Sequence, residues 1–256
     1  MTLMRKGLWT RLKLSIRRRN RPRLEAALPL LIALVASAAP ASDNAVDFII
    51  GASTPSPKPF LRNGAALWAV LPDDDGYRLA GRVAQVETFE YRNATRGDGT
   101  FTGQRLVGPG ADRALIHLAG SIGLREGPVT LERSNHVLIE HTLGEERTPS
   151  SPFTYRLGER VFRISAEVEP ADRGYRRLRV FFEEGQRRQE LVSSSEATDP
   201  YARLAWIGDI DRDGLPDFLL SVRSHYPAVA HRLYLSSFAE AGQLCRQVGT
   251  VVEDLD

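Results

Sequence analysis

The chain has little of what staples a protein, spans a bilayer or carries well-known chemistry. One cysteine, Cys245, stands in 256 residues, so no internal disulfide can form. A domain without disulfides relies on its core, or on a bound ion, for rigidity. With Leu244 and Val248 beside it and no histidine close in sequence, Cys245 reads as a small buried residue. After residue 42 there is one lysine, Lys58, and the arginines are spread along the chain. That spread argues against an arginine-built phosphate site. No apolar run reaches the length of a membrane helix, and no cysteine follows the apolar run that exists, which excludes a lipoprotein anchor. There is no phosphate-binding loop and no dinucleotide fingerprint. Gly120-Ser121-Ile122-Gly123 lacks the spacing of a nucleophile elbow.

The formal charge of +2 misleads. Residues 1–42 hold nine basic groups against one acid, Glu25, so the remainder carries −6. The basicity sits in the leader, and nucleic acid is not an expected partner of the rest. Residues 26–39 (AALPLLIALVASAA) are apolar, and Ala39-Pro40-Ala41 offers a small-x-small cleavage site. This is the order of regions in a secretory signal, expected to be cleaved after Ala41. Left uncleaved, residues 1–41 would be a single N-terminal membrane anchor with its basic end on the cytoplasmic side. Either outcome places the remainder in the periplasm or outside the cell.

A sustained helical period is also missing. Residues 42–60 are rich in proline and serine and read as a linker. Beyond them come short β-type runs: Ala66–Leu71, Tyr77–Val86, Ala114–Leu118, Val137–His141, Val161–Glu169, Arg177–Phe182 and Glu190–Ser194. Arg160–Val168 alternates polar and apolar residues, the period of a half-buried strand. The fold class expected is mainly β, built of antiparallel hairpins or a sandwich. One β-rich unit is expected over 61–145 and a second over 150–256, with one continuous sandwich as the alternative. The one short helix expected lies around Ser237–Gly242.

The informative segment is Gly208-Asp209-Ile210-Asp211-Arg212-Asp213-Gly214-Leu215-Pro216-Asp217, between Leu204-Ala205-Trp206-Ile207 and Phe218-Leu219-Leu220-Ser221-Val222. Asp occupies positions 1, 3, 5 and 9 of a loop, and Gly position 6. Calcium takes six to eight oxygens. Alternate aspartates in a tight loop can turn their carboxylates toward one point, Gly214 permits the sharp bend, and Leu215 can offer its carbonyl. Without a cation, two carboxylates about 5 Å apart repel by roughly 3 kcal/mol at an effective dielectric near 20, relieved only partly by Arg212. An EF-hand would need a glutamate at position 12 and flanking helices; position 12 is Leu220 and the flanks are strand-like.

These residues resemble the FG-GAP/VCBS class of repeats, the calcium-loop hairpins of integrin α-chain propellers and of many bacterial secreted proteins. The resemblance covers about residues 203–237. It implies Asp209, Asp211, Asp213 and Asp217 as side-chain ligands of calcium, Leu215 as a carbonyl ligand, and Arg232–Ser237 as the next strand. The chain has no second D-x-D-x-D-G, whereas a propeller needs about four blades or more, so a full propeller is not expected.

Other candidates carry less. Asp73-Asp74-Asp75-Gly76 has consecutive acids and reads as a hairpin turn. Arg96-Gly97-Asp98 arises easily by chance in an arginine- and glycine-rich chain. His136 and His141, near Asn135 and Glu140, are five apart in a strand and face opposite sides. His225, Tyr226 and His231 follow the loop. The function expected is that of a non-enzymatic, exported, calcium-binding β protein that presents a surface to a polysaccharide or another envelope protein. The alternative is an exported periplasmic hydrolase that uses His225, His231 and nearby acids.

Overall fold

The computed structural model describes residues 46–51, 53–54, 62–92, 100–120, 123–140, 151–197, 199–223 and 228–254. The leader 1–41, Arg96-Gly97-Asp98, Ser121-Ile122, His141, His225 and Tyr226 lie outside the described residues, as does most of the segment expected to separate two units.

The fold is mainly β and antiparallel. Among the described residues sixteen strands run in chain order: β1 (Asp47–Ile50), β2 (Ser53–Thr54), β3 (Ala66–Asp73), β4 (Gly76–Val83), β5 (Val86–Arg92), β6 (Thr100–Leu106), β7 (Ile116–Ala119), β8 (Gly127–Glu140), β9 (Phe153–Leu157), β10 (Arg160–Pro170), β11 (Arg176–Glu184), β12 (Arg187–Ala197), β13 (Tyr201–Asp209), β14 (Asp217–Arg223), β15 (Ala228–Leu235) and β16 (Arg246–Asp254). Nine of them form one sheet in the order β1-β7-β3-β4-β8-β13-β14-β15-β16. A four-stranded sheet, β12-β11-β10-β9, and a small one, β2-β6-β5, complete the fold. The nine-stranded sheet takes strands from both sides of residues 141–150, through the long β8–β13 pairing.

Its two edges meet. The amide of Val46 donates to the carbonyl of Val248 at 2.8 Å. Gly249 permits this approach, because a Cβ there would lie 2.3 Å from the Val46 carbonyl oxygen. All nine strands contribute to one apolar cluster, with Phe48, Val70, Leu79, Ile116, Val129, Trp206, Leu219, Leu233 and Val248 among its members. That cluster fills the inside of the nearly closed sheet. Residues 47–50, read from the sequence as linker, form β1, because Phe48 and Ile49 are apolar and become buried against β7.

The opposite face of β13–β15 packs on the four-stranded sheet as a sandwich. An aromatic column links the layers: Phe162 to Phe182, Phe182 to Phe218 and Phe218 to Tyr234, with ring centroids 5.7, 5.0 and 5.0 Å apart. β14 therefore has apolar neighbours on both faces, and six of its seven residues are buried. Each such large side chain contributes about 1.5–3 kcal/mol on burial. Gln189 of β12 adds a polar tie, accepting from the Leu244 amide at 2.6 Å and donating to the Cys245 carbonyl at 2.8 Å.

The helix expected at Ser237–Gly242 is not formed. The segment makes two separate turns, Ala239 to Ser236 and Gln243 to Glu240, each closed by a 2.9 Å backbone bond. The reason is local. The Ser236 amide and both serine hydroxyls bond aspartates of the preceding hairpin, and Gly242 takes φ 89°.

Candidate metal centre

β13 ends on Asp209 and β14 begins on Asp217, so residues 210–216 form the hairpin loop. Two features lock its base. Ile210 is buried in the barrel interior, and Gly208 lets β8 come close, since a Cβ there would lie 2.2 Å from the Thr130 carbonyl oxygen. Two residues with left-handed backbone, Arg212 (φ 63°) and Gly214 (φ 82°), curl the chain back on itself.

The curl turns carboxylates inward. One oxygen each of Asp209, Asp211 and Asp217 lies within 4.8 Å of the others. Asp217 is fully buried. Its Oδ2 accepts from the Ile210 amide and its Oδ1 from the Ser236 amide, both at 2.9 Å. Asp209 and Asp211 are half-buried. Asp209 accepts from the amides of Asp213 (3.1 Å) and Gly214 (3.0 Å), and Asp211 accepts from the Asp213 amide (3.2 Å) and the Ser237 hydroxyl.

Asp213 is exposed and stands beside this trio. It accepts from the Leu215 amide at 2.8 Å, and its two oxygens lie 3.0 and 2.9 Å from the Ser236 hydroxyl. That hydroxyl is also 3.1 Å from Asp217 Oδ1. It has one hydrogen to donate and three carboxylate oxygens around it, so the group is short of donors. Leu215 packs its side chain against the sandwich core.

Charge makes the shortage worse. Arg212 turns its guanidinium away, donating to the carbonyls of Arg125 (2.6 Å) and Glu126 (3.0 Å). Among the described residues no lysine or arginine pairs with these four aspartates. Burial pushes the Asp217 carboxyl well above the usual carboxylate range, and the charge of Asp211 adds to it. Burial also raises Asp211, with Asp213 and Asp209 contributing, and raises Asp209, with Asp213 contributing. Asp209, Asp211 and Asp217 each offer one oxygen that could hold a hard cation, which would supply the missing positive charge. The Ser236 and Ser237 donors were not legible in the sequence, because they arrive from the β15–β16 connection, 19 or more residues after the loop.

The remaining candidates find other roles. Asp74-Asp75 is the two-residue turn between β3 and β4. His136 packs on Phe153 and bonds the Ser151 carbonyl through Nε2 at 2.9 Å. Cys245 is buried, and burial raises its thiol pKa. His231 lies in a chain that the spacing did not reveal: its Nδ1 is 2.9 Å from the Ser221 hydroxyl and its Nε2 3.0 Å from Glu253 Oε2. Ser221 is fully buried, so the chain presents no exposed nucleophile.

No protein-family model matches this chain, no curated protein matches it, and no solved structure matches it.

Proposed function

We propose that this chain is an exported, non-enzymatic β protein whose β13–β14 loop binds calcium of the FG-GAP/VCBS type. Asp209, Asp211 and Asp217 supply the central oxygens, with Asp213 and the Leu215 carbonyl completing the shell. The observation that carries this reading is the fully buried Asp217 carboxylate with two further carboxylate oxygens within 4.8 Å of it and of each other. An isolated buried carboxylate cluster is costly, and a divalent ion removes the cost. The basic, apolar and small-residue order of residues 1–41 supports export, and calcium is abundant outside cells.

The ion is structural in this reading. It closes the hairpin, draws in the β15–β16 connection through Ser236 and Ser237, and so shapes the adjoining surface for a polysaccharide or an envelope protein. This reading is preferred over a hydrolase because the Ser221–His231–Glu253 chain has its hydroxyl buried.

Thermal melts of the purified chain with calcium and with a calcium-selective chelator test the proposal. A dissociation constant of about 10 μM would give roughly 2.7 kcal/mol of added stability at about 1 mM calcium. For a domain of this size that corresponds to a rise of about 5–10 °C in Tm. Asp211→Ala is expected to abolish the rise. Superimposable melts of the unsubstituted chain in calcium and in chelator would end the proposal.

A further inference from the structure

Arg212 stands at position 4 of the β13–β14 loop, between Asp211 and Asp213, with a left-handed backbone of φ 63°. A residue with a Cβ is strained in that conformation. Charge does not offset the strain, since among the described residues the guanidinium pairs with no carboxylate of the loop. It reaches instead to the chain just before β8. Nη2 donates to the Arg125 carbonyl at 2.6 Å and to the Glu126 carbonyl at 3.0 Å, groups 87 and 86 residues away in sequence. Gly127 leaves room for it, because a Cβ there would lie 2.7 Å from Arg212 Nη1.

The seat of the guanidinium is itself anchored. β4 pairs with β8 only at Tyr77, Arg78 and Leu79. Where that ladder has ended, Glu126 Oε1 accepts from the Gly81 amide of β4 at 2.9 Å. One chain of hydrogen bonds therefore runs from the aspartate loop through Arg212 to the chain before β8, and from Glu126 to β4.

We propose that Arg212 is a positioning residue of the metal centre: seated on the Arg125 and Glu126 carbonyls, it holds the loop in the curl that gathers the aspartates, and it couples ion binding to the Glu126–Gly81 contact. This inference rests on the calcium reading. Asp211 and Asp213 flank Arg212, so fixing its backbone fixes the origin of both carboxylate side chains. A loop already held in its bound shape loses less freedom when the ion arrives. Charge alone predicts the reverse: a cation on the loop repels a divalent ion, so removing it would tighten binding. The two effects have opposite signs, and one substitution separates them. Linkage is also reciprocal, so if the seated guanidinium favours the ion, the ion favours the seat.

The test is calorimetric titration of calcium into the full chain and into Arg212→Ala, with exchange of the Gly81 amide followed by NMR in calcium and in chelator. Arg212 is exposed and alanine meets the same left-handed backbone, so the substitution leaves the fold intact. Arg212→Ala is expected to bind calcium about tenfold more weakly, the scale set by groups that orient metal ligands from outside. In the unsubstituted chain the Gly81 amide is expected to exchange more slowly in calcium than in chelator, and in the variant at one rate in both. Equal or tighter calcium binding by Arg212→Ala would overturn the inference and leave the calcium reading standing. So would a Gly81 rate indifferent to calcium in the unsubstituted chain, or a calcium effect on it that survives in the variant. Absence of calcium binding by the unsubstituted chain would end the calcium reading itself, and this inference with it.

Discussion

Asp217 and Asp211 belong to one cluster but have different work to do. Asp217 is fully buried and takes the amides of Ile210 and Ser236, which have no exposed alternative. Removing it strands two buried donors, each costing about 1–3 kcal/mol. Asp217→Ala is therefore expected to lose about 2–6 kcal/mol of stability even in chelator, measured by urea unfolding. Asp211 is half-buried, and the charges of Asp213 and Asp209 disfavour its ionised form. Asp211→Asn is expected to match or exceed the unsubstituted chain in chelator and to gain nothing from calcium. The aspartate spacing was legible because it is local, set by a turn of nine residues. Which aspartate is buried was not, since that depends on Ser236 and on the aromatic column behind Phe218.

Hairpins were the most legible elements. The strands expected at 161–169 and 177–182 fall within β10 and β11, where period-two alternation matches a sheet with one covered face, and the one expected at 66–71 falls within β3, a short apolar run buried on both faces. β14 was legible as a strand only through its flanking loop, since a continuous apolar run has no period. The spread of arginines also has its reason at this scale. Many lie on β10–β12, where Arg160 pairs with Glu184, Arg179 with Glu190, and Arg188 with Glu183. Such exposed pairs are worth about 0–1 kcal/mol each. Two glycines of the β13–β14 hairpin separate packing from backbone freedom. Gly208→Ala would drive a methyl into the Thr130 carbonyl oxygen and Leu131 Cα, atoms of the neighbouring strand that cannot turn aside. A loss of about 3 kcal/mol or more is expected. Gly214 has open space around it but φ 82°, so Gly214→Ala is expected to cost about 1–2 kcal/mol from backbone conformation alone. Urea midpoints of the two variants would rank them; equal losses would contradict this account of Gly208.

For the molecule as a whole, calcium binding as proposed would couple stability to pH. Burial and their mutual charge raise the carboxyl pKa values of Asp217, Asp211 and Asp209 in the folded chain above the ordinary 3.8. Their contribution to stability is present at low pH and is lost as pH rises through the raised values. Glu253 has the opposite sign. Its hydrogen bond from His231 lowers its pKa, so its contribution is present above 4.5 and is lost as pH falls through the lowered value. Calcium bound as proposed would require the ionised aspartates. The gap in Tm between calcium and chelator is therefore expected to widen as pH rises from about 4.5 to 7. Melting curves across that range check it, and a constant or narrowing gap would count against a shared carboxylate site.

The sequence by itself determined the β class, the hairpin around residues 209–217 and the residue types that converge there, because strand alternation and turn chemistry act over a few residues. Only the tertiary structure decided that β1 joins the sheet, that strands from both halves of the chain share one nearly closed sheet, and that serines from the next connection reach the aspartates. It alone also seated the Arg212 guanidinium on the carbonyls of Arg125 and Glu126. Those outcomes depend on pairings between residues far apart in the chain, which burial of the common apolar interior selects and local pattern does not encode.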